Sequence, residues 1–192
     1  DPATEVIVLV SKPPAKSVQD KVLAAAAACG KPVVACLLGG SEEAVTKAGL
    51  QFGKTTKEAA LKAVILGGKK EEEINKRALN LPLIAETRAK LKPEQRYIRA
   101  LLCGGTLCEE MMLIAKESYD NVYSNIAKDP ARKLKDVSTS IEHTFIDFGD
   151  DDFTRGRPHP MIDPSQRLAR LVQEARDPRS ASSCSISSSA TA

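Results

Sequence analysis

The sequence predicts an α/β protein built from two lobes, each organised around a parallel β-sheet. Strand-like apolar runs lie at 6–10, 33–38, 97–102 and 143–148, and the first two are typical of strands buried on both faces of a sheet. Helical patterns follow these runs, and strand–helix–strand order implies parallel strands joined by right-handed crossovers. A charged segment between the second and third runs divides the chain into its two lobes.

The first lobe is expected to cover residues 1–68. A strand at 6–10 precedes a helix that Ser17 caps and Gly30 ends, because a hydroxyl is favoured at a helix start and a glycine just beyond its last turn. A second buried strand at 33–38 completes a βαβ unit.

Two further helices and a short strand are expected in this lobe. Glycine and serine at 39–41 turn the chain into a short helix, and residues 50–52 suit a brief third strand. Thr55 and Glu58 form a capping box for a helix that runs to about residue 66.

Residues 69–95 are expected to form a charged helical linker between the lobes. Acidic and basic residues are dense at 69–77, and Pro82 and Pro93 punctuate two helical stretches. Because mixed charge runs are typical of solvated connections, we predict no functional site in this segment.

The second lobe is expected at 96–178 and is expected to be incomplete. Its predicted elements are a strand at 97–102, a tight turn at 103–106, a helix at 107–119, an irregular stretch at 120–142, a strand ending at 147, a long loop and a helix at 164–175. The carboxyl ends of its parallel strands meet at one edge of the sheet, which is where ligands of open α/β sheets bind.

The first candidate segment at this edge is the turn that contains Gly104, Gly105 and Thr106. Two glycines permit a sharp bend, and the free N–H groups of the following helical turn favour an anion. A strand-to-helix turn that binds nothing would use the same residues. The turn is therefore a stronger candidate for ligand binding only where other candidate residues lie near it.

The second candidate segment is the loop at 147–167, which is longer and more charged than a simple turn requires. Asp147 closes a strand, so its carboxylate is expected to face the crevice. Asp150, Asp151 and Asp152 either hold a hydrated Mg²⁺ ion, accept hydrogen bonds from a substrate or form a solvated acidic turn. We assign no residue as a metal ligand.

The basic residues of this loop also have two interpretations each. Arg155 and Arg157 bracket Gly156, so their guanidinium groups either grip a carboxylate or phosphate or pair with the nearby aspartates. His159 lies between two prolines, and a structural role, with the ring tied to a neighbouring carbonyl, is favoured over proton transfer or acceptance of a phosphate. Asp163 and Pro164 are expected to cap and begin the next helix. The predicted substrate- or anion-binding set is Gly104, Gly105, Thr106, Asp147, Asp150, Asp151, Arg155, Arg157 and His159, with no catalytic residue assigned.

Composition narrows the classes of protein to consider. The 192 residues are 42% hydrophobic and 28% charged with a net charge of +3, which is typical of a globular protein. No apolar run is long enough to span a membrane, and the spread of basic residues with few aromatic side chains argues against nucleic-acid binding. The five cysteines show no metal-binding spacing, which favours reduced thiols in a cytoplasmic protein. Since no initiator methionine precedes the first strand, we expect an internal fragment of a longer protein.

Residues 179–192 have the composition of a disordered tail, rich in serine and alanine. A second hypothesis concerns the reading frame. With permitted codons, residues 181–191 can be encoded so that a shifted frame gives an apolar strand followed by a glycine turn. The sequence of the gene would test this hypothesis.

Three segments together resemble the FdrA family, whose members look like fused succinyl-CoA synthetase subunits. They are Val-Ser-Lys-Pro-Pro-Ala at 10–15, Gly-Gly-Thr-Leu at 104–107 and the block at 147–167, whose Arg-Gly-Arg-Pro-His-Pro-Met-Ile-Asp-Pro string is highly specific. The resemblance covers nearly all of the chain up to about residue 178. It implies two flavodoxin-like, three-layer ligase domains, the first similar to the synthetase α subunit and the second to the β subunit.

The resemblance also implies acyl-CoA ligase ancestry, with CoA, ATP and Mg²⁺ used by the full-length protein and no cofactor held by this fragment. Synthetases carry their phosphohistidine in a His-Ala-Gly string, and the corresponding residues here are Lys47, Ala48 and Gly49. Because lysine is not an equivalent carrier, the phosphohistidine relay should be absent. The implied partners are the missing CoA-binding domain of the same polypeptide, a small carboxylate or phosphate substrate and a homo- or hetero-oligomeric subunit.

Three functions remain open from the sequence. The first is an FdrA-type acyl-CoA ligase that lacks the phosphohistidine. The second is a component of a carbamoyltransferase acting on oxamate in allantoin catabolism, which needs anion-binding groups but no phosphorylated enzyme. The third is a subunit without catalytic activity that serves assembly. Whether the chain is an enzyme is left open, and the fragment alone is not expected to be active.

Overall fold

A computed structural model describes residues 1–74 and 80–186, with side chains described up to residue 181. The chain separates into two compact units, Asp1–Leu79 and Asn80–Ala192. Each unit contains a parallel β-sheet with helices packed against it, so the predicted α/β class with two parallel sheets is confirmed.

The first unit is a three-stranded parallel sheet in the order β1-β2-β3, with β2 in the centre. Its elements are β1 (Ile7–Ser11), α1 (Lys16–Ala27), β2 (Val33–Leu37), α2 (Glu42–Lys47), β3 (Gln51–Phe52) and α3 (Thr56–Leu66). All five residues of β2 are buried, as the continuous apolar run predicts.

Both faces of this sheet are covered because side chains alternate along β2. Val33, Ala35 and Leu37 pack in one apolar cluster with residues of α1 and α2. The intervening residues Val34 and Cys36 point to the opposite face, and α3 contacts β1 and β2. The first unit therefore has three layers.

Side-chain caps are present at the starts of α2 and α3 and absent at the start of α1. Ser41 caps α2, and Thr55 caps α3 by accepting a hydrogen bond from the Glu58 N–H at 3.1 Å. The Glu58 carboxylate accepts from the Lys54 N–H, one residue before the expected partner. The prediction that Ser17 caps α1 is wrong, since the helix begins at Lys16 after Ala15 and has no side-chain cap.

The first strand is not buried on both faces, so that prediction is wrong. β1 lies at the edge of its sheet and pairs only with β2 among the described strands. Val8 and Val10 retain 41% and 47% of their accessible surface. The apolar run correctly identified a strand, but it could not show that no further strand would cover this edge.

The charged segment between the two sheets is only partly described. A short 3₁₀ turn at Glu71–Glu73 and helix α4 (Leu81–Ala89) lie within it, and Asn80 caps α4 with its side-chain oxygen 3.1 Å from the Leu83 N. The part of the predicted linker at 75–79 lies outside the described residues.

The second unit is a four-stranded parallel sheet in the order β5-β6-β4-β7. Its elements after α4 are β4 (Tyr97–Leu102), α5 (Gly105–Lys116), β5 (Val122–Ser124), β6 (His143–Asp147), α6 (Asp151–Thr154), α7 (Ser165–Arg176) and β7 (Ser180–Ile186). The two strands expected in this lobe, β4 and β6, are neighbours in the sheet and pair directly.

Two apolar clusters cover the faces of this second sheet. On one face Ala100, Leu102 and Phe145 pack against Cys108 and Met112 of α5. On the other face the cluster is formed by Leu101, Leu134, Ile146 and Phe148, with Phe153 of α6 and Leu171 of α7 packed against it. This unit also has three layers, and β4 and β6 contribute to both faces.

Two segments of the second unit differ from the sequence prediction. Residues 122–124 form β5 within the stretch expected to be irregular, because three residues are too few to show a periodic pattern. The expectation of a disordered tail does not hold for Ser180–Ile186, which form β7 beside β4. Parallel pairing uses backbone groups that every residue carries, so a serine-rich segment can occupy this position. Residues 187–192 lie outside the described part of the chain.

The sheet-facing side of α7 is charged rather than apolar. Arg167, Arg170 and Glu174 are its buried residues. Glu174 pairs with Arg170 and also accepts from Arg99 of β4, with 2.9 Å between Arg99 Nε and Glu174 Oε2. Arg99 is fully buried and also contacts Asp177 at 2.8 Å. The buried Glu174 carboxylate is thus shared by the guanidinium groups of Arg99 and Arg170, which offsets part of the cost of removing these charges from water.

Replacing Arg99 by methionine should destabilise the second unit by about 3 kcal/mol, because it leaves Glu174 and Asp177 without one of their buried partners. Urea unfolding of wild type and variant measures the difference. The matched control is Lys90→Met, which breaks an exposed pair with Glu86 and should cost less than about 1 kcal/mol. Equal losses for the two variants would refute a structural role for the buried pair.

His143 begins β6 in a buried aromatic setting. Its Nδ1 accepts a hydrogen bond from the Ile98 N–H at 3.2 Å, and its ring stacks on Tyr119 with 4.0 Å between centroids. Burial, reinforced by the positive charge of Arg99, lowers the pKa of His143 below its ordinary value. The imidazole is therefore held neutral in the folded protein.

The stability of the second unit should fall as the pH drops below about 6.5, because the unfolded chain then binds a proton that folded His143 refuses. The loss develops between that pH and the lower pKa of the folded state. Urea midpoints measured from pH 8 to pH 5 test this, and His143→Gln, which can still accept from Ile98, should flatten the dependence. An unchanged slope in the variant would contradict the assignment.

Candidate functional site

The ends of β4 and β6 are tied together by one carboxylate. Asp147, the last residue of β6, is 6% exposed, and its Oδ1 accepts hydrogen bonds from the Gly104 N–H and the Gly149 N–H, each at 2.9 Å. Phe148 also donates its N–H to the Leu102 carbonyl at 2.8 Å. The predicted meeting of the glycine turn with the Asp147 loop is therefore present in the structure.

Asn125 fixes the backbone of Asp147 from the other side. Its Oδ1 accepts from the Asp147 N–H and its Nδ2 donates to the Asp147 carbonyl, both at 2.9 Å. The residue is buried and follows β5. Sequence analysis missed Asn125 because it missed β5, although a polar residue directly after a strand at this edge is the signal that would have found it.

The turn before α5 has the geometry that its glycines permit. Gly104 has a φ of +145° and a ψ of +110°, a conformation open to glycine but not to other residues without strain. It takes the N-cap position of the twelve-residue helix, where Gly105 and Thr106 begin the first turn. The N-terminal N–H groups of that turn point to the same edge as Asp147.

His159 reaches this edge through the long loop. A Cβ added to Gly149 would lie 3.1 Å from Asp147 Oδ1, 3.5 Å from His159 Nε2 and 3.7 Å from the Gly104 nitrogen, so these three groups surround one small space. His159 Nδ1 lies 3.3 Å from the Met161 N, which donates to it. In the neutral imidazole that bond leaves the proton on Nε2, the atom that faces the site.

The other charged residues of the loop do not join this cluster. Asp150 caps α6 by accepting from the Asp152 N–H. Arg155 and Asp151 face each other at 3.6 Å with about 85% of each side chain exposed, and Arg157 is exposed as well. Arg155 thus pairs with a nearby aspartate, which is the second of its two interpretations. Asp163 accepts a hydrogen bond from the Ser165 N–H at 3.0 Å. Helix α7 begins at Ser165, one residue after the predicted start at Pro164.

Arg167 is the buried cation that the sequence analysis did not include in the site. It lies in the first turn of α7 and is 5% exposed. Burial raises the pKa of the Cys103 thiol, while the positive charge of Arg167 opposes this rise and Asp147 adds to it. Both charges therefore act at the end of β4. The signal was present in the sequence as Arg167, Arg170 and Glu174, which share one helical face.

The described residues contain no group of three or more His, Cys, Asp or Glu side chains that could hold a metal ion. Of the cysteines with described side chains, all four are free thiols, and Cys29 alone among them is exposed. Within the described ranges, no helix has the length and apolar character needed to cross a bilayer.

A comparison with protein families finds a match over the residues that carry this site. Residues 101–182 match the CoA-ligase family. The matched stretch contains Gly104, Asp147, Gly149, His159 and Arg167, so the edge just described lies within the residues that are similar to this family. A two-sheet parallel α/β architecture agrees with the flavodoxin-like fold expected for such domains.

A comparison with curated proteins finds a relative in Escherichia coli (strain K12), the uncharacterized protein YahF. The two sequences are 60% identical over 178 residues, which is 93% of this chain. The chain spans about a third of the relative's length, at 35%. No solved structure matches the chain significantly.

Replacing Asp147 by alanine should lower the unfolding free energy of the second unit by about 3 kcal/mol, because two amide donors lose a charged acceptor. Asp147→Asn keeps an oxygen in place and should lose less. Urea unfolding distinguishes the two variants, with the exposed Asp152→Ala as control. The interpretation fails if alanine and asparagine at position 147 are equally tolerated.

Proposed function

We propose that this chain is part of an FdrA-type, succinyl-CoA-synthetase-like protein that joins a small carboxylic acid to CoA. In this proposal the carboxyl edge of the second sheet holds the carboxylate or phosphate group of the substrate. The observation that carries the proposal is that the CoA-ligase match at 101–182 includes the whole cluster around Asp147. The protein is expected to act in the cytoplasm.

The cluster supplies the groups that an anionic substrate needs. The first turn of α5 contributes N–H donors and the positive end of the helix dipole. Arg167 adds a buried positive charge, which acts more strongly than an exposed one because less water screens it. The Asp147 carboxylate already accepts a hydrogen bond from the Gly104 N–H. In this proposal it positions the glycine turn and sets the width of the site, and it does not itself bind the substrate.

His159 is assigned a hydrogen-bonding role in this proposal. Its Nε2 faces Gly149 and its Nδ1 is engaged by the Met161 N–H. A neutral imidazole oriented in this way donates a hydrogen bond from Nε2 to an oxygen of the substrate. The hydrogen bond from the Met161 N–H fixes the orientation of the ring. In this proposal His159 therefore has both a structural and a chemical role.

The first unit contributes no phosphohistidine in this proposal. Lys47, at the position where synthetases carry histidine, is the last residue of α2 and is exposed. Gly49 follows with a φ of +81°, so the glycine of the string keeps a turn role. CoA, ATP and Mg²⁺ are then bound by parts of the longer polypeptide outside this chain, which acts as a homo- or hetero-oligomer.

The same lysine favours a second candidate function, a carbamoyltransferase component that acts on oxamate. Carbamoyl transfer from carbamoyl phosphate needs groups that bind two anions but no phosphorylated side chain. The Asp147 cluster serves either reaction, because both substrates present a carboxylate or phosphate. The two candidates differ in the cosubstrate that is consumed.

The longer polypeptide should convert ATP, CoA and a small acid to an acyl-CoA thioester, ADP and phosphate. Thioester formation is measured by absorbance and mass spectrometry across a panel of acids that includes succinate. Release of phosphate from carbamoyl phosphate with oxamate, without thioester, would replace the first function by the second. Absence of both reactions would contradict the proposal and leave the assembly role.

The variants should separate the residues that lie at the Asp147 cluster from those that lie farther along the loop. Arg167→Met and His159→Ala should each lower kcat/KM about 100-fold, as removal of one oriented group does. Arg155→Ala and Arg157→Ala, which alter exposed side chains, should stay within about two-fold of wild type. Unfolding midpoints measured on the same samples exclude a folding defect. Larger losses of kcat/KM in the Arg155 and Arg157 variants than in the Arg167 and His159 variants would contradict this assignment of the site.

A further inference from the structure

The backbone conformation of Gly149 does not require a glycine. Its φ is not among the positive values found at other glycines of the described chain, so a residue with a side chain is not strained there. Gly104 is the opposite case. Its φ of +145° favours glycine, while a Cβ added to it would meet no atom within 4 Å among the described residues beyond its chain neighbours. Gly104 is thus a glycine for its conformation, and the reason for Gly149 has to be space.

The atoms around Gly149 are polar. A Cβ placed on this residue would lie 3.1 Å from Asp147 Oδ1, 3.5 Å from His159 Nε2 and 3.7 Å from the Gly104 nitrogen. The absent side chain therefore leaves room for about one heavy atom in ordinary van der Waals contact with its surroundings. That room is bounded by a carboxylate, an imidazole and a backbone amide.

A glycine that serves close packing has different surroundings, as Gly53 in the first unit shows. A Cβ added to Gly53 would lie 2.7 Å from the Cβ of Ala59 and 2.8 Å from its Cα, so α3 itself fills that space. The nearest described atom at Gly149 is a side-chain oxygen at 3.1 Å. The packing of helices and strands therefore explains Gly53 but does not explain Gly149.

We propose that Gly149 is a specificity-determining residue, which keeps space open for an oxygen of the carboxylate or phosphate group of the substrate. A hydrogen bond from His159 Nε2 places that oxygen about 2.7–3.2 Å from the nitrogen. A methyl group held 3.5 Å from the same nitrogen competes for the position, since carbon and oxygen atoms in contact stay about 3.3 Å or more apart. Glycine allows a ligand to approach the backbone closely in this way.

The inference rests on the proposed function in placing the anionic group of the substrate at this edge. It goes further by naming the position whose size limits what binds there. A longer polypeptide that forms no thioester would refute the proposed function, yet binding of a small anion could still be measured. An anion that binds Gly149→Ala as tightly as wild type would refute this inference and leave the ligase reaction unaffected.

A titration with small anions tests the inference in the longer polypeptide. Sodium acetate and inorganic phosphate are added separately, and the NMR signal of an isotope-labelled His159 ring reports the contact. We expect at least one of the two anions to bind wild type, with a dissociation constant about ten-fold or more larger in Gly149→Ala, because a hydrogen bond to a charged group is lost. Binding of neither anion to wild type, or equal affinity in both proteins, would overturn the proposal.

The matched control is Gly67→Ala, at the end of α3. Gly67 has a φ of −77°, and a Cβ there would make only ordinary contacts, 3.5 Å from the carbonyl oxygens of Ala63 and Val64. Both substitutions reduce the freedom of the unfolded chain in the same way. The control should keep the dissociation constant within about two-fold of wild type. A loss equal to that of Gly149→Ala would count against the proposal.

Stability and kinetics separate this role from a purely structural one. A glycine that only relieved crowding at Asp147 Oδ1 would destabilise the fold when replaced. We expect the urea midpoint of Gly149→Ala to lie within about 0.5 M of the Gly67→Ala midpoint. In an active polypeptide the KM for the acid should rise about ten-fold while the KM for CoA stays unchanged. A larger fall in the midpoint, or equal rises in both KM values, would assign the glycine to the fold and overturn the proposal.

Discussion

The parallel direction of the strands determines most of what this molecule does. Every strand pairing in the two sheets is parallel, so each connection crosses from one end of the sheet to the other and covers a face on the way. Because the strands of each sheet run in the same direction, their carboxyl ends lie at one edge of that sheet. Asp147 ends β6 and Gly104 follows the neighbouring strand β4, and they meet for this reason although 43 positions separate them.

At that edge a carboxylate from the protein holds the backbone of the glycine turn. Two N–H groups converge on Asp147 Oδ1, and Asn125 holds the peptide groups on both sides of the same residue. The turn is consequently fixed before any ligand arrives, which is the preorganisation that electrostatic stabilisation of an anion requires. The exposed aspartates and arginines farther along the loop are free of this constraint and remain in water.

The sequence was informative where a pattern repeats and less so where only contacts decide. Period and composition identified β2, β4 and α3, and the sheet rule placed Asp147 beside the Gly104 turn. The charged loop suggested Arg155 because its residues are adjacent in sequence, yet burial selects Arg167, which arrives from the next helix. Neither β5 nor β7 was predicted. The first is three residues long, and the second is a serine-rich strand defined by its backbone pairing.

The charged inner face of α7 restricts how this part of the protein can change over generations. Apolar residues in a core can exchange for one another with modest losses. Glu174 has no such substitutes, because Arg99 and Arg170 both depend on it. A tolerated replacement at one of these positions requires simultaneous changes at the others, so the three should drift as a set. That coupling also preserves the register of α7, and with it the position of Arg167 about one turn nearer the start of the helix.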